Sequence, residues 1–472
     1  MSDCCKPGKS YDVAVIGAGS AGFSAAITAA NEGARVALVG HGAIGGTCVN
    51  VGCVPSKALI RAVEPLYQAS AASRFDGIEA SARLVDWRKV RDQKTRLVEQ
   101  LQKEKYADLL PTYSGIDYIE ATASFSATGL RVDDKPFSAD KIILATGSVE
   151  RIPEIKGASV VPYLTSTTAF ELDALPASLL IVGGGYIGVE VAQMFARAGV
   201  DVTIVCRSRL LPEAEPEISE ALEGYLREEG ITVEGGLTYS AISTSGTGIR
   251  LDARRSRKAI SFAAEQVLFA AGRAPNTANL NLDSYLISTE ENGGILVNDR
   301  MQTTREGIYA AGDVTGRDQF VYMAAYGAKL AAKNALNGNA LSYDNRAMPA
   351  VVFTDPQVAS VGMTEAGAKA SGWEVKTSVL TLDNVPRAVA ARDTRGLVKL
   401  VVDQGSGKLL GAHILAPEGA ESIQTAALAI KAGMTYSDLA ETIFPYLTTV
   451  ESLKLAAQTF DMDIAKLSCC AG

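Results

Sequence analysis

The sequence has very little histidine or cysteine: His41 and His413 are its only histidines, and 472 residues contain seven cysteines. Protein zinc sites draw mainly on these two residue types, so a zinc-dependent mechanism has little support. Seven unevenly spaced cysteines also exclude the dense disulfide framework of a small secreted domain.

Long apolar runs and an excess of positive charge are missing as well. No stretch approaches the roughly 18 uninterrupted apolar residues of a membrane span. A net charge of −8 argues against nucleic acid as a partner, because nucleic-acid binding needs clustered cations. The segment "MSDCCKPGKSYDVAVIG" enters a strand-like sequence without the apolar core of a signal peptide. We therefore expect a cytoplasmic protein.

The composition is typical of a soluble α/β protein, with 47% hydrophobic residues, 21% charged residues and 44 glycines. At about 150 residues per domain, the length predicts about three domains.

Residues 11–40 show the strand, glycine turn, helix, strand order of a dinucleotide-binding unit. Gly17, Gly19 and Gly22 have the spacing that permits a tight turn, close approach to a pyrophosphate and close helix packing. The second strand ends at Gly40, where an acid would normally bind a ribose hydroxyl. His41 or the backbone is expected to replace that contact.

Residues 179–209 repeat this order with Gly183, Gly185 and Gly188. Arg207 and Arg209 follow the second strand, where guanidinium groups suit the 2′-phosphate of NADPH. Solvated surface arginines are the alternative interpretation.

Two further strands run into glycine turns, "KIILATGS" at 141–148 and "GIYAAGDVT" at 307–315. Asp313 in the second turn is suited to accept a hydrogen bond from a polyol. With these ordered motifs, the chain from Tyr11 onward resembles the flavoprotein disulfide reductases, the class I pyridine nucleotide-disulfide oxidoreductases.

The resemblance implies an α/β fold with two Rossmann-like domains, one for FAD and one for NADPH, and a C-terminal α+β dimerisation domain. The implied FAD domain comprises residues 1–150 and 273–345, the NADPH domain 151–272, and the dimerisation domain with its Cys-Cys tail 346–472.

The resemblance also implies a set of cofactor contacts. Tyr186 is expected to gate the nicotinamide pocket, with a packed core tyrosine as the alternative. Together, the expected cofactor-binding residues are Gly17, Gly19, Gly22, His41, Gly42, Gly46, Thr47, Lys57, Ala123, Thr146, Gly147, Asp313, Val321, Gly183, Gly185, Tyr186, Gly188, Glu190, Arg207, Arg209 and Gly272.

The loop "GGTCVNVGCVPSK" places Cys48 and Cys53 together. A flavin can pass two electrons to a disulfide held beside its ring. The resemblance implies that Cys53 is the thiol nearest the flavin and Cys48 the thiol facing substrate. It also implies that Lys57 contacts the flavin and pairs with Glu190. A structural disulfide or a zinc clamp are the alternatives.

The family's disulfide-reducing members have a histidine as acid and base near the C-terminus, followed by a glutamate. In the matching segment "FPYLTTVESLKLAAQ" the histidine position is Tyr446 and the glutamate position is Glu451. A phenol with an ordinary pKa near 10 is a poor replacement at neutral pH.

The chain ends "KLSCCAG", and the adjacent thiols of Cys469 and Cys470 can capture a soft metal ion. Hg²⁺ prefers two thiolates in near-linear geometry, so a relay from this tail to Cys48 and Cys53 is expected.

By the same resemblance the protein is a homodimer in which the tail of one subunit serves the active site of the other. Tyr106 and Tyr446 are expected to flank the metal path, with core packing as the alternative for Tyr106. Cys4 and Cys5 are candidates for metal collection, and Cys206 is expected in the core.

The predicted function is NADPH-dependent reduction of Hg²⁺ to volatile Hg⁰ for mercury detoxification. A disulfide reductase of the thioredoxin or glutathione reductase type is the enzymatic alternative, and Tyr446 argues against it. A protein that only sequesters Hg²⁺ is a further alternative, but it would not need two dinucleotide sites.

Overall fold

The computed structural model describes residues 11–246 and 248–466, and these residues form two compact units. Within the described ranges, the first unit contains 11–58, 88–151 and 272–344. The second unit contains 59–87, 152–246, 248–271 and 345–466. In the part of the chain that the structure describes, no helix is both long enough and apolar enough to cross a membrane.

The first stretch of chain begins with the first glycine motif and ends before the second. Its helices and strands are β1 (Tyr11–Ile16), α1 (Ser20–Asn31), β2 (Val36–Gly40), α2 (Gly46–Asn50), α3 (Cys53–Ser70), α4 (Trp87–Gln102), β3 (Ile116–Glu120), β4 (Ala123–Ser126), β5 (Gly129–Val132), β6 (Lys135–Pro136), β7 (Ala139–Leu144) and β8 (Ser148–Glu150).

The middle of the chain contains the second glycine motif and returns to the first unit. Its elements are α5 (Ser166–Ala169), β9 (Ser178–Val182), α6 (Tyr186–Arg197), β10 (Asp201–Val205), α7 (Pro216–Glu228), β11 (Thr232–Glu234), β12 (Leu237–Ser245), β13 (Gly248–Arg255), β14 (Lys258–Ala264), β15 (Gln266–Phe269), β16 (Arg273–Pro275), β17 (Ile308–Ala310) and α8 (Val321–Asn337).

The C-terminal part is an antiparallel sheet with helices. Its elements are β18 (Pro349–Val352), β19 (Gln357–Gly362), α9 (Glu365–Ala370), β20 (Val375–Thr381), α10 (Pro386–Ala390), β21 (Leu397–Asp403), β22 (Leu409–Ala416), α11 (Gly419–Ala432), α12 (Tyr436–Glu441) and α13 (Glu451–Gln458).

The core of the first unit is a parallel five-stranded sheet in the order β17-β7-β1-β2-β3. Its central strands are continuous apolar runs, such as "VALVG" in β2, because a parallel sheet is buried on both faces. Helix α1 crosses from β1 to β2. The strands therefore end at one edge of the sheet, where the glycine turns of this unit lie.

The second unit contains a parallel four-stranded sheet in the order β11-β10-β9-β15 and the antiparallel sheet β12-β13-β14. It also contains the antiparallel sheet β18-β19-β22-β21-β20, with α11 packed on β19 and β22. The predicted α/β class, with two dinucleotide-binding folds and a C-terminal α+β part, is confirmed.

Candidate active site

The first glycine turn has room for a ligand at its middle glycine only. A Cβ at Gly17 would lie 2.2 Å from the Ala145 carbonyl oxygen, and a Cβ at Gly22 would lie 1.7 Å from the Gly17 carbonyl oxygen. At Gly19 the nearest atom is 3.6 Å away. The outer glycines serve chain packing, and the middle one leaves the backbone open, so this turn fits the pyrophosphate of a dinucleotide.

The second glycine turn has the same division of roles. A Cβ at Gly183 would lie 2.2 Å from the Ala270 carbonyl oxygen, and one at Gly188 would lie 2.0 Å from the Gly183 carbonyl oxygen. No atom lies within 4 Å of the Cβ position at Gly185. This turn therefore fits the pyrophosphate of a second dinucleotide.

The two arginines after β10 have different surroundings. Arg207 is exposed to solvent. Arg209 Nη2 donates hydrogen bonds to the carbonyl oxygens of Pro212, at 3.0 Å, and Ala214, at 2.7 Å. Arg209 therefore holds its own loop, and Arg207 is the more available of the two for a phosphate.

Tyr186 and Glu190 lie in the first turns of α6, directly after the second glycine turn. Burial raises the pKa of the Tyr186 phenol, so the ring stays neutral at physiological pH. Glu190 is buried and its Oε1 accepts a hydrogen bond from the Phe353 backbone N–H at 2.8 Å. Lys57 lies in α3 of the first unit, and its pairing with Glu190 stays a prediction.

Asp313 is held by two residues that the sequence did not single out. Ser148 Oγ donates to Asp313 Oδ2 at 2.6 Å, and Arg273 Nε donates to Ser148 Oγ at 2.8 Å. Arg273 also donates to the Ser148 carbonyl oxygen at 2.7 Å. Ser148 is the last residue of the segment "KIILATGS", whose glycine turn is paired in the sequence analysis with the turn that contains Asp313. That pairing is the one sequence feature that could have indicated this contact. Asp313 is thereby fixed in the turn after β17.

The other expected contacts of the first unit lie in loops or at element ends. His41 and Gly42 are exposed in the loop after β2, Thr47 is in α2, and Ala123 begins β4. Thr146 and Gly147 connect β7 to β8, Gly272 precedes β16, and Val321 begins α8. Thr146 Oγ1 donates to the Asn276 carbonyl oxygen at 2.7 Å.

The cysteine loop is fixed against the first glycine turn. The Gly45 N–H donates to the Ala18 carbonyl oxygen at 2.9 Å, and Gly45 has a left-handed backbone with φ of 94°. Asn50 Nδ2 donates to the carbonyl oxygens of Ile44 and Gly46, both at 2.9 Å. Asn50 lies between the two cysteines in sequence, and its side chain pins the short helix that carries Cys48.

Cys48 and Cys53 are two thiols in contact rather than a disulfide. The hydrogen bond with Cys53 is the largest cause of a raised pKa at Cys48, and burial adds to it. The charge of Lys57 acts in the opposite direction. Cys53 is exposed and is the first residue of α3. Cys48 and Cys53 are therefore a hydrogen-bonded thiol pair of unequal exposure, and which of them faces the flavin and which the substrate stays a prediction.

Tyr106 lies in a π-helical turn, Lys103–Ala107, that follows α4. Its ring packs edge-to-face on Phe23 with centroids 4.8 Å apart. Ring atoms lie 3.1 Å from the position of a Cβ on Gly45. These contacts support the packing interpretation of the Tyr106 ring, and a role beside the metal path stays a prediction.

Tyr446 is 55% exposed and precedes α13. Glu451, in the family's glutamate position, begins α13 and is buried. Its carboxylate accepts a hydrogen bond from the Leu447 N–H at 3.2 Å, and burial raises its pKa. Glu451 therefore stabilises its own segment. Cys469 and Cys470, like Cys4 and Cys5, lie outside the described residues.

Among the described residues, no three or more His, Cys, Asp or Glu side chains are grouped to hold a metal ion. Cys206 is 4% exposed, and burial raises its pKa to about 11. The prediction that Cys206 is a core residue is confirmed. Of the described cysteines, only Cys48 and Cys53 are placed to hold a metal between two thiols.

Family models match most of the chain. The pyridine nucleotide-disulphide oxidoreductase model matches residues 11–332, and the dimerisation-domain model of that family matches residues 348–457.

Individual relatives are similar over nearly the whole length of this chain. A mercuric reductase from Streptomyces lividans is 47% identical over 468 residues, which is 98% of each chain. One from Lysinibacillus sphaericus is 46% identical over 466 residues, covering 98% of this chain and 85% of the relative. Among solved structures, a Cu(II) complex of the HOCl-induced flavoprotein disulfide reductase RclA from Escherichia coli is 31% identical with a TM-score of 0.83. That match covers 96% of this chain and 99% of RclA.

Proposed function

Because the chain belongs to the pyridine nucleotide-disulphide oxidoreductase family, we propose that it uses NADPH and FAD to reduce Hg²⁺ to Hg⁰. The chain is an oxidoreductase, and its mercuric reductase relatives share up to 47% of its residues over nearly the full length. The observation that carries the proposal is the thiol pair Cys48 and Cys53, fixed against a dinucleotide-binding turn.

The first glycine turn and Asp313 would hold FAD, and the second glycine turn with Arg207 would hold NADPH. Bound FAD supplies the two-electron chemistry that links NADPH to the thiol pair and its metal. The open backbone at Gly19 and Gly185 supports both assignments. The division into FAD, NADPH and dimerisation domains follows from the same proposal.

Cys48 and Cys53 would bind the substrate Hg²⁺ as a dithiolate. Two thiols and Hg²⁺ give one near-linear complex and release two protons, so the metal displaces the proton that Cys48 otherwise retains. Lys57 lies close enough for its positive charge to favour the Cys48 thiolate. Asn50 keeps the loop in place by its two hydrogen bonds.

The C-terminal segment favours a metal over a disulfide as substrate. Reduction of a disulfide requires a proton for the leaving thiol, which the exposed phenol of Tyr446 supplies poorly at neutral pH. Glu451 is already engaged with the Leu447 N–H. Reduction of a dithiolate-bound metal needs no such donor, and the loss of the histidine is therefore tolerated.

The match to the dimerisation domain supports a homodimer. In our proposal, Cys469 and Cys470 of one subunit capture thiol-bound Hg²⁺ and pass it to Cys48 and Cys53 of the other subunit. Cys469→Ser with Cys470→Ser should slow turnover of thiol-bound Hg²⁺ and leave reduction of the bound flavin by NADPH unchanged. An unchanged steady-state rate would refute the relay.

NADPH oxidation by the purified protein tests the function. Hg²⁺ buffered by excess thiol, glutathione disulfide and oxidised thioredoxin are offered in separate reactions, and Cu²⁺ is included because the similar RclA structure is a Cu(II) complex. We expect turnover with Hg²⁺ and little with either disulfide. Turnover with a disulfide but not with Hg²⁺ would instead identify a disulfide reductase. Cys206→Ser is the matched control for Cys48→Ser and Cys53→Ser, because it removes a buried thiol outside the pair.

A further inference from the structure

Strand β2 ends without the acid that normally binds a ribose, and the structure explains why no side chain lies there. A Cβ at Gly40 would lie 2.7 Å from the Ala18 Cβ and 3.1 Å from the Ala18 nitrogen. Ala18 is part of the first glycine turn, so the turn itself occupies the space that an acid at Gly40 would need.

The neighbouring strand provides a carboxylate at the same level. Glu120 is the last residue of β3 and the register partner of Gly40 in the parallel sheet. The chain continues beside β2 immediately afterwards, since the Ala121 N–H donates to the Gly40 carbonyl oxygen at 2.9 Å. Glu120 is exposed at the carboxyl edge of the sheet, where open α/β sheets bind their ligands.

Tyr118 shows which face of the sheet this carboxylate lies on. Residues two apart in a strand share a face, so Glu120 projects on the same side as Tyr118. The register partner of Tyr118 is Leu38, whose Cδ1 lies 3.6 Å from the Cβ position of Gly22 in α1. Both side chains therefore project on the face that carries the first glycine turn.

Two electrostatic contacts agree with this placement. The Tyr118 hydroxyl donates to the Gly40 carbonyl oxygen at 3.4 Å. Burial raises the pKa of Tyr118, and the negative charge of Glu120 adds to the effect, which places the carboxylate near that phenol. Glu120, Tyr118 and the end of β2 thus form one cluster.

We propose that Glu120 binds the adenosine ribose of FAD in place of an acid at Gly40, accepting hydrogen bonds from the vicinal hydroxyls. This inference rests on the assignment of FAD to the first glycine turn. The ribose contact then comes from the end of β3. His41, which is exposed in the loop after β2, does not contribute to it.

The test is the rate at which the holoenzyme releases FAD, followed by the recovery of flavin fluorescence after dilution in the absence of mercury. Glu120→Gln and Glu120→Ala should release FAD faster by on the order of tenfold, the size of one lost charge-assisted hydrogen bond. Asp140→Asn is the control, because Asp140 is an exposed acid at the opposite, amino-terminal end of β7 in the same sheet. It should release FAD at the wild-type rate, as should His41→Ala.

Thermal unfolding of the same proteins separates binding from folding, and the isosteric Glu120→Gln change should leave the unfolding midpoint of the flavin-free protein unchanged. Wild-type release from both Glu120 variants would overturn the inference, and faster release from His41→Ala alone would do the same. A wild-type protein that holds no FAD at all would instead refute the assignment of the first glycine turn.

Discussion

The thiols of Cys48 and Cys53 share a hydrogen bond, which is the largest cause of the raised pKa of Cys48. One short helix, pinned by Asn50, carries the first thiol, and the N-terminus of α3 carries the second. The pair is thus asymmetric: Cys53 is exposed, whereas Cys48 is partly buried and holds its proton more tightly than an ordinary thiol.

Removal of Cys53 should make Cys48 ionise at lower pH. Cys53→Ala deletes both the hydrogen bond and the neighbouring charge that raise the pKa of Cys48, whereas burial of Cys48 and the charge of Lys57 stay. The measurement is the pH dependence of Cys48 alkylation by iodoacetamide, followed by peptide mass spectrometry. A profile identical to that of the reduced wild-type protein would contradict the proposed coupling.

Cys206 should resist thiol reagents in the folded protein. Burial raises the pKa of Cys206 to about 11, so the thiol stays protonated at physiological pH and at pH 8. At pH 8, iodoacetamide should label Cys53 and leave Cys206 unmodified, while both should react in urea. Equal labelling of Cys53 and Cys206 in the native protein would contradict the burial of Cys206 at the end of β10.

One face of α6 is tied to the segment before β19. Gln193 Nε2 donates to the Asp355 carbonyl oxygen at 2.8 Å, and the Asp355 N–H donates back to Gln193 Oε1 at 2.8 Å. Glu190 and Arg197, at helical spacing from Gln193, bind Phe353 and Asp355.

Gln193→Leu should therefore destabilise the protein by about 2–4 kcal/mol, because it leaves the backbone N–H and carbonyl oxygen of the half-buried Asp355 without their amide partner. Urea unfolding measures this free energy. Lys369→Met is the control: it breaks an exposed ion pair with Glu365 and should cost no more than about 0.5 kcal/mol. Similar losses in the two variants would contradict a special role for Gln193.

Returning the acid to β2 should compensate for the loss of Glu120. In the Glu120→Gln background, Ala18→Gly with Gly40→Glu removes the Ala18 Cβ that blocks this position and supplies a new carboxylate. We expect FAD release to slow towards the wild-type rate. Ala18→Gly with Glu120→Gln, which lacks the new acid, should stay fast; restoration in that control would show that the carboxylate is not responsible.

Local motifs made much of the fold predictable. Both glycine turns were predicted correctly because three glycines at this spacing, between a strand and a helix, are typical of a dinucleotide-binding turn. The cysteine loop was recognised because Cys48 and Cys53 lie only five positions apart.

The contacts that sequence reasoning missed join distant residues. Glu120 reaches the end of β2 only through sheet register, and Arg273 reaches Ser148 over 125 positions. Arg209 Nη2 donates to the carbonyl oxygens of its own loop, a contact that the sequence did not indicate, and the role of Arg209 at a phosphate stays a prediction. Tertiary pairing of this kind leaves no periodic signal in the sequence.

The most direct test of the central claim is the amount of elemental mercury that leaves solution for each NADPH consumed. With thiol-buffered Hg²⁺, the proposed reaction predicts one Hg⁰ per NADPH, collected as vapour, and none from Cys48→Ser or Cys53→Ser. NADPH oxidation with all mercury retained in solution would contradict the account.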